Sequence, residues 1–450
     1  MSPSKWIRIE KSYPLPNYVH EALDRLDEAG HIAYIVGGSV RDFLLGKASK
    51  DHDIATSATP DELCILFPDA ITVGKAFGVL KIPLHPDQAG ASGPQFLEIA
   101  TFRQDLEYKD HRHPTAVLFS GPAEDASRRD FTINALFYDV KSGRILDTVG
   151  GMDDLKAGVI RAIGLPSERF KEDALRLLRA IRFSTRFGFQ IEPLTFEAIR
   201  ERAHLISHVS AERIRDELTL MWLGPNSAEA LRMLSEVGLI QRVLPEVEAM
   251  RSIGGAFSHT LKVMELIGRD RAVKSMSLVW AALLHETGRP VQAEKHGAKN
   301  LTGHEREGAK LAGAIAERLK FSRQDIDQIV SLVEDHLKFK DAFQMRESTV
   351  QRFVRQANFE ELIELHKADA IATDGNLAFY EFCKTRFEQF KTSLDQGDSK
   401  LISGQDLIQM GFSPGPKFAE ILRTIEDLAL ERKLSSKEQA LEYVVTHFVR

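Results

Sequence analysis

The feature that most constrains this chain is a glycine turn followed closely by two aspartates. In residues 34–56, YIVGGSVRDFLLGKASKDHDIAT, an apolar stretch typical of a strand ends at Gly37 and Gly38, a short helix follows, and Asp51 and Asp53 come next. Backbone N–H groups and the positive end of a helix dipole after two glycines favour phosphate binding. Most glycine pairs are only turns, so the interpretation needs a second observation.

The two aspartates supply it. We expect Asp51 and Asp53 to lie on a strand, where two residues one apart point to the same face. Such carboxylates repel each other unless one is protonated or a cation lies between them, and Mg²⁺ prefers carboxylates together with substrate phosphates. Glu98, on a predicted neighbouring strand, would complete a two-metal site for nucleotide transfer from a triphosphate. A solvated Asp-x-Asp that only caps a turn is the alternative.

The order of secondary-structure patterns predicts an α+β fold. Four apolar or alternating stretches bounded by turn residues are typical of strands; they cover residues 32–36, 51–55, 78–84 and 95–102. Ser39 is the candidate N-cap of the intervening helix, which we expect to end at Gly46. Short connections favour antiparallel neighbours. From about residue 167, periodic apolar positions predict helices to the end of the chain.

Composition limits the class of protein. A chain of 450 residues is long enough for about three domains, and it has neither a run of about 18 apolar residues nor an apolar N-terminal signal. Its two cysteines, Cys64 and Cys383, predict no disulfide framework. We therefore expect a cytoplasmic protein without a membrane contact. The net charge of −6 argues against nonspecific coating of DNA but is compatible with a local basic groove.

A basic segment at residues 167–189, SERFKEDALRLLRAIRFSTRFGF, is the second chemical feature. Arginines spaced 3, 3 and 4 apart predict one charged face of a helix; they are Arg176, Arg179, Arg182 and Arg186. Asp173 precedes Arg176 by three residues, so we expect the two side chains to project side by side. A carboxylate that accepts from an exocyclic amine, beside an arginine that donates to a ring acceptor, would select cytosine and adenine. A solvated basic face is the alternative.

The segment RRDFTINAL, residues 128–136, lies between these two features. Consecutive arginines beside an aspartate and an asparagine can clamp a triphosphate and a ribose, although the same composition is common on protein surfaces. The candidate side chains are Arg129, Asp130 and Asn134.

These motifs resemble those of the class II tRNA nucleotidyltransferases, the CCA-adding family that also contains bacterial poly(A) polymerases. The resemblance covers roughly residues 30–220 and rests on five ordered motifs: VGGSVRD with DHD, RRDFTINAL, GGMDDLKAGVIRAIG, EDALR and SAERIRDEL. It implies a small nucleotidyltransferase head of the DNA polymerase β type with an antiparallel sheet, followed by helical neck, body and tail. The implied domains are a head (1–150), a neck with the nucleotide-selecting helix (151–220), a body (221–395) and a tail (396–450).

The resemblance also implies residue roles and a reaction. Asp51 and Asp53 would hold Mg²⁺ and, with Glu98, would be the catalytic carboxylates. The implied nucleotide-binding residues are Gly37, Gly38, Arg41, Arg129, Asp130, Asn134, Asp173, Arg176, Arg179 and Arg182. The implied reaction transfers CMP, AMP or both from CTP and ATP to the 3′ end of tRNA, without a nucleic-acid template, and releases pyrophosphate.

Two related activities remain open within this family. Residues 101–119, TFRQDLEYKDHRHPTAVLF, resemble the flexible loop that accompanies addition of the terminal A. An enzyme that adds only CC is expected to lack this loop, whereas CCA-adding and A-adding enzymes both have it. Poly(A) synthesis ranks third, because neither a leucine-rich segment before RRDF nor a basic C-terminal tail is evident. The sequence gives no indication of oligomeric state.

A separate histidine set resembles the HD-type phosphohydrolase domain that is fused to some family members. The candidate residues are His259, His285, Glu286, His304 and His336, with Asp335 and Asp369 nearby. A glutamate stands where that family has the aspartate of its His-Asp pair, and its extra methylene could displace a metal ligand. Either metal chemistry survives here or the fold only supports tRNA. The alternatives from other classes are an HD phosphohydrolase with a vestigial head and a non-catalytic RNA-binding module.

The tail carries a turn rich in glycine and proline, residues 411–416, before an amphipathic helix. Backbone amides and Lys417 at the helix start could contact an RNA phosphate. We therefore predict tRNA docking in the tail, with a plain helix cap as the alternative.

Overall fold

The computed structural model describes residues 5–49, 51–84, 96–106, 116–269, 275–297, 299–394, 401–431 and 433–448. The chain divides into two compact units, Met1–Val243 and Leu244–Arg450. Among the described residues, none of the helices combines the length and apolar character that crossing a membrane requires. The middle of the predicted flexible loop, residues 107–115, lies outside the described residues.

The first unit is built on a mixed, mostly antiparallel sheet. Its strands are β1 (Lys5–Arg8), β2 (Ala33–Val36), β3 (Asp53–Thr56), β4 (Val79–Pro83), β5 (Phe96–Thr101), β6 (Arg103–Asp105), β7 (Val117–Phe119), β8 (Leu136–Asp139), β9 (Arg144–Asp147), β10 (Val159–Ile160) and β11 (Gln190–Ile191). Seven of them form one sheet in the order β1-β9-β8-β2-β3-β5-β4, and β6–β7 and β10–β11 form two small sheets.

One strand pairing differs from the expectation. All neighbours in the large sheet are antiparallel except β3 and β5, which are parallel. The chain leaves β3 through a helix, forms β4 at the sheet edge, and returns as β5 between β4 and β3. The predicted preference for antiparallel neighbours is confirmed for the rest of the sheet; β3 and β5 are parallel because β4 separates them along the chain, so no short connection joins them.

The helices of the first unit surround this sheet and follow it. They are α1 (Asn17–Glu28), α2 (Gly38–Leu44), α3 (Pro60–Leu66), α4 (Pro122–Ser127), α5 (Gly151–Ala157), α6 (Pro166–Glu172), α7 (Arg176–Phe187), α8 (Pro193–Arg202), α9 (Ala211–Trp222), α10 (Ser227–Glu236) and α11 (Ile240–Val243). Helix α7 is anchored by an apolar face whose members Leu177, Leu178 and Ile181 are fully buried. Burying each of these side chains stabilises the fold by about 1.5–3 kcal/mol.

Three local expectations are corrected by the structure. Helix α2 begins at Gly38 with Gly37 as its N-cap, while Ser39 lies inside the first turn and its hydroxyl donates to the Val36 carbonyl at 3.2 Å. Asp51 precedes β3, which begins at Asp53. The four arginines of the basic segment lie on one helix, α7, as predicted, but Asp173 lies outside it, because the backbone at Asp173 is extended (φ −143°, ψ 105°) and separates α6 from α7.

The second unit, among its described residues, is helical. Its helices are α12 (Pro245–Ala249), α13 (Ala256–Arg269), α14 (Met276–Leu284), α15 (Gly288–His296), α16 (His304–Arg318), α17 (Arg323–Asp335), α18 (Glu347–Val354), α19 (Phe359–Thr373), α20 (Ala378–Leu394), α21 (Gly404–Gln409), α22 (Pro416–Leu430) and α23 (Lys437–Phe448). The last three share a core around Leu407, Ile421 and Val444. An α+β head followed by helices is thus confirmed; the three boundaries between the four predicted domains stay a prediction.

Two helices of the second unit approach unusually closely at Gly288. A β-carbon added there would overlap the carbonyl oxygen of His304 and would lie 2.5 Å from the backbone nitrogen of Gly308. Real β-carbons do not approach backbone atoms so closely. The absence of a side chain at Gly288 therefore lets the start of α15 contact the first turn of α16.

We expect Gly288→Ala to destabilise the protein by about 1–3 kcal/mol, the usual cost of overpacking a tight contact. Gly254→Ala is the matched control, because a β-carbon there meets nothing within 4 Å. The free energies of unfolding are measured by urea denaturation. Equal stabilities of the two variants would show that the helices separate without cost.

Candidate active site

The sheet brings two predicted carboxylates together. Asp53 on β3 is the direct register partner of Glu98 on the parallel neighbour β5, so both side chains lie on the same face. Leu97 and Ile99 on either side of Glu98 are buried in the opposite direction, as alternation predicts. Lys81 on β4 continues the row, with its Nζ 2.8 Å from Glu98 Oε1. We call Asp53, Glu98 and Lys81 the charged row.

The glycine turn lies beside this row. Gly37 has φ +75°, and a β-carbon there would lie 3.4 Å from Arg129 Nη1 and 3.9 Å from Asp53 Oδ2. Since Val36 is the register partner of Asp53, the end of β2 and the start of β3 are directly opposed. The structure therefore places a glycine turn, an arginine and a carboxylate within a few ångströms of one another.

Asp53 is electrostatically strained. Its side chain remains open to solvent, but partial desolvation by surrounding protein and the negative charge of Glu98 raise its pKa to about 6, while Arg129 and Lys81 act in the opposite direction. Asp51 lies exposed just ahead of the strand and adds to the repulsion. Excess negative charge on oxygen ligands is what a hard divalent cation relieves. The residues present therefore fit such an ion, with Asp53 at the centre.

Arg41 is directed into the protein. It is buried, donates to Asp42 Oδ1 at 2.7 and 2.9 Å, and is also hydrogen-bonded to the side-chain oxygen of Asn134. Its guanidinium stacks 4.6 Å from the ring centroid of Phe187, and Asp42 accepts a further bond from Arg186 at 3.0 Å. In this arrangement Arg41 orients Asn134, and its contact with a triphosphate stays a prediction.

Asp130 connects the RRDFTINAL segment to α7. One of its oxygens accepts from Asn134 Nδ2 at 3.0 Å and the other from Arg179 Nε at 2.8 Å. Burial alone would raise the pKa of Asp130, but Arg179 and the Asn134 hydrogen bond hold it down at about 2. Asp130 is therefore ionised, and it fixes the orientation of Asn134, a predicted ribose-binding side chain, and of Arg179, a predicted nucleotide-binding arginine.

The consecutive arginines share an acid that sequence reasoning missed. Asp125, nearly fully buried on α4, accepts from Arg128 at 2.6 Å and from Arg129 at 2.9 Å. The sequence signal for this contact was that Asp125 precedes Arg128 by three residues and Arg129 by four. By holding both guanidinium groups, Asp125 places Arg129 against the glycine turn.

The predicted base-selecting pair is present, but each member has its own partners. Asp173 Oδ1 accepts from the backbone N–H of Leu175 at 3.1 Å, and its Oδ2 accepts from Arg213 Nη2 on α9 at 2.8 Å. Arg176 donates to Glu172 Oε2 at 2.6 Å and to the carbonyl of Arg128 at 3.0 Å. Arg213 was not among the predicted residues.

The same helix α9 also holds Arg182, another arginine of the basic segment. Glu217 Oε2 accepts from Arg182 Nε at 2.5 Å, and Glu217 Oε1 lies 3.6 Å from Arg179 Nη1. Arg182 and Glu217 are both buried. Glu217, like Arg213, belongs to the SAERIRDEL motif, but the sequence does not reveal which arginine each contacts.

In the second unit, the structure brings the predicted histidines into two groups. Within each group the ligand atoms lie within 4.8 Å of one another. The groups are His259, His285 and Asp369, and Glu286, His304 and His336. Asp335 does not join them among the described residues; it pairs with Lys338 Nζ at 2.6 Å.

The histidine cluster is buried and incompletely satisfied. The Nε2 atoms of His285, His304 and His336 are buried without a hydrogen-bond partner, although buried polar atoms are nearly always bonded. Burial lowers the pKa of His336 to about 3, so its ring is neutral and free to act as a ligand. Glu286 pairs with Arg289 through one oxygen, and its other oxygen faces His304. The cluster therefore fits a transition metal or Zn²⁺.

The tail turn gives no added support for RNA contact. Gly411 adopts φ +87°, and α22 begins at Pro416. Lys417 Nζ donates to the carbonyl of Phe448 at 3.3 Å. The predicted tRNA docking here stays a prediction.

Comparison with known protein families assigns three regions. Residues 33–161 match the poly A polymerase head domain, residues 188–251 the probable RNA and SrmB-binding site of polymerase A, and residues 256–374 the HD domain. The CCA-adding enzyme of Lactococcus lactis subsp. cremoris is 33% identical over 424 residues, which cover 93% of each chain. The chain belongs to the CCA-adding enzyme family of tRNA nucleotidyltransferases.

Other members of the family agree with this assignment. The CCA-adding enzyme of Geobacillus thermodenitrificans is 44% identical over 216 residues, which are 48% of this chain and 51% of that one. The Bacillus stearothermophilus CCA-adding enzyme in complex with CTP is similar in structure, with a TM-score of 0.71, 26% identity and 96% of each chain covered. The Thermotoga maritima enzyme complexed with tRNA shares the fold, with a TM-score of 0.59, 23% identity, and 96% of this chain and 94% of that chain covered.

We expect Asp53→Asn to stabilise the metal-free protein at about pH 8 and to leave its stability unchanged near pH 4. Because folding raises the pKa of Asp53 from 3.8 to about 6, the wild type favours the protonated group and loses stability as the pH rises through that range. Thermal unfolding with a chelator at both pH values measures the difference. Asp69→Asn, in an exposed turn, is the control; an Asp53→Asn effect independent of pH would contradict the charge argument.

Proposed function

We propose that this protein adds CMP and AMP from CTP and ATP to the 3′ end of tRNA, synthesising or repairing the CCA end, with Mg²⁺ as the metal and the cytoplasm as its location. The single observation that carries the proposal is that Gly37, Arg129, Asp53 and Glu98 lie together where β2 ends and β3 begins. A triphosphate needs N–H and guanidinium donors beside metal-binding carboxylates, and this place in the sheet offers all of them.

The three carboxylates at this site would bind the catalytic metal. Asp53 and Asp51 would hold Mg²⁺, with Glu98 as the third carboxylate. When bound, the metal activates the attacking 3′-hydroxyl and neutralises charge on the leaving pyrophosphate. Arg129 would bind the triphosphate beside the glycine turn, where Asp125 holds it. Lys81 would balance Glu98 while the metal is absent.

The choice of base would come from Asp173 and Arg176. The carboxylate of Asp173 accepts from the exocyclic amine of cytosine or adenine, and Arg176 donates to the adjacent ring acceptor. Uracil and guanine present the opposite pattern at these positions. Addition of A alone is the second candidate activity for this site, because CCA addition and A addition both need a pair that selects an exocyclic amine. Poly(A) synthesis is the third candidate.

The decisive experiment supplies tRNA that ends before CCA, after C, or after CC, with CTP and ATP separately and together. With both nucleotides present, we expect each substrate to be extended to CCA and no further. Growth only of the substrate ending in CC would indicate an A-adding enzyme, and long A tails would indicate poly(A) synthesis. Product lengths on a sequencing gel measure the outcome.

We expect Asp53→Ala to lower addition of both nucleotides by roughly a thousandfold or more, because a catalytic metal supplies several kcal/mol of transition-state stabilisation. tRNA binding, measured by filter retention, should remain largely intact, since the metal contact and not the RNA contact is lost. Asp69→Ala is the control and should keep wild-type activity. Substantial incorporation by Asp53→Ala would overturn the assigned metal site.

We infer a second candidate function, metal-dependent phosphohydrolysis, from the histidine cluster. The observation that favours it is the set of three buried, unpartnered Nε2 atoms on His285, His304 and His336. His259, Asp369 and Glu286 supply the remaining ligand atoms. The bound metal would polarise a phosphate ester and activate water, while Arg289 would pair with Glu286 and orient it.

We expect the purified Asp51→Asn/Asp53→Asn double variant, which lacks the head site, still to bind Co²⁺ and give a visible d–d absorption band. Adding His304→Ala to this variant should weaken Co²⁺ binding by about 10–100-fold, since one of few ligands is removed. His296→Ala, on a neighbouring helix outside the cluster, is the control. Identical spectra with and without His304 would show that the cluster is only structural. Hydrolysis of p-nitrophenyl phosphate by the double variant then tests the activity itself.

A further inference from the structure

Helix α9 presents two charged side chains to the nucleotide-selecting region. Arg213 and Glu217 are four residues apart and so lie on the same helix face. Arg213 contacts Asp173 at 2.8 Å, and Glu217 contacts Arg182 at 2.5 Å. One face of α9 therefore contacts both Asp173, a member of the predicted base-selecting pair, and Arg182, a predicted nucleotide-binding arginine.

The orientation of the Asp173 side chain depends on a contact from another helix, because Asp173 itself does not lie in a helix. It lies between α6 and α7 in extended conformation, outside either helix. Its Oδ1 is bound by the backbone N–H of Leu175, which leaves the direction of Oδ2 to be set by Arg213. The Asp173 and Arg213 side chains are about one-fifth exposed, so the pair is shielded from solvent yet open to a ligand.

The anchor also keeps two opposite charges apart. Asp173 and Arg176 are three residues apart and joined by a backbone hydrogen bond of 3.1 Å. Without other partners, this carboxylate and this guanidinium would neutralise each other, and neither would offer its hydrogen-bonding groups to a base. Glu172 engages Arg176, and Arg213 engages Asp173, so the two groups stay separate.

We propose that Arg213 is a positioning residue for base choice, which holds the Asp173 carboxylate toward the exocyclic amine of the incoming nucleotide and away from Arg176. A carboxylate oxygen has two acceptor sites, so Oδ2 can keep Arg213 while accepting from the amine. This proposal rests on the proposed nucleotide addition and adds a specificity residue to it.

The test compares incorporation of CTP and UTP, and of ATP and GTP, by Arg213→Leu, Arg213→Lys and wild type. We expect Arg213→Leu to lower the ratio of kcat/KM values for the correct over the incorrect base by about 10–100-fold, the usual worth of one base-reading contact. Arg213→Lys retains a cation and should lose less than Arg213→Leu. The ratio is taken within one preparation, so a partly unfolded variant still gives a valid value.

Two comparisons separate positioning from a general structural role. Arg215→Leu, on the same helix but paired with its neighbour Asp216 at 2.8 Å, should keep the wild-type ratio. In an Asp173→Asn background, Arg213→Leu should cause no further loss of discrimination, because Arg213 acts through the Asp173 carboxylate. A fully additive effect in that background would overturn the proposal.

The remaining outcomes are also distinct. If wild type adds neither CTP nor ATP to tRNA, the proposed function fails before Arg213 is considered. If wild type discriminates and Arg213→Leu discriminates equally well, only the role of Arg213 is overturned. Equal loss of all four nucleotides by Arg213→Leu, with an unchanged ratio, would likewise assign Arg213 to folding.

Discussion

The candidate site depends on one local arrangement, the hydrogen-bonded placement of β3 between β2 and β5. The pairing with β2 brings the glycine turn to the start of β3, and the parallel pairing with β5 sets Glu98 beside Asp53. A slip of one residue in either register would turn one carboxylate to the opposite face. The apolar side chains beneath the sheet, including Leu97 and Ile99, fix the register by being buried.

In the first unit, buried acids orient several arginines. Asp125 holds Arg129, Asp130 holds Arg179, and Glu217 holds Arg182. Buried ion pairs contribute little net stability, because desolvation of both charges offsets their attraction. Their effect here is directional: each guanidinium has a fixed orientation, which would reduce the side-chain entropy lost on binding the proposed nucleotide.

Both units keep groups that a purely structural protein would avoid. In the first unit, Asp53 beside Glu98 carries repulsion that raises the pKa of Asp53. In the second, the histidines leave buried ring nitrogens unpaired. Each arrangement costs stability in the absence of a cation and is relieved by one. The two sites differ in ligand chemistry, oxygen in the head and mainly imidazole in the body, and so favour different metals.

The sequence by itself determined the fold class, four of the seven strands of the large sheet and the family motifs, and it predicted the residues that would carry the chemistry, because these follow from local periodicity and residue type. It did not determine that β3 and β5 are parallel, that Asp173 interrupts the basic segment, or that Arg213 and Glu217 hold members of the nucleotide-selecting region. The interruption at Asp173 is a local backbone conformation. The strand pairing and the α9 contacts join residues about 35–45 positions apart, and which distant partners meet is decided by packing of the whole unit rather than by local pattern.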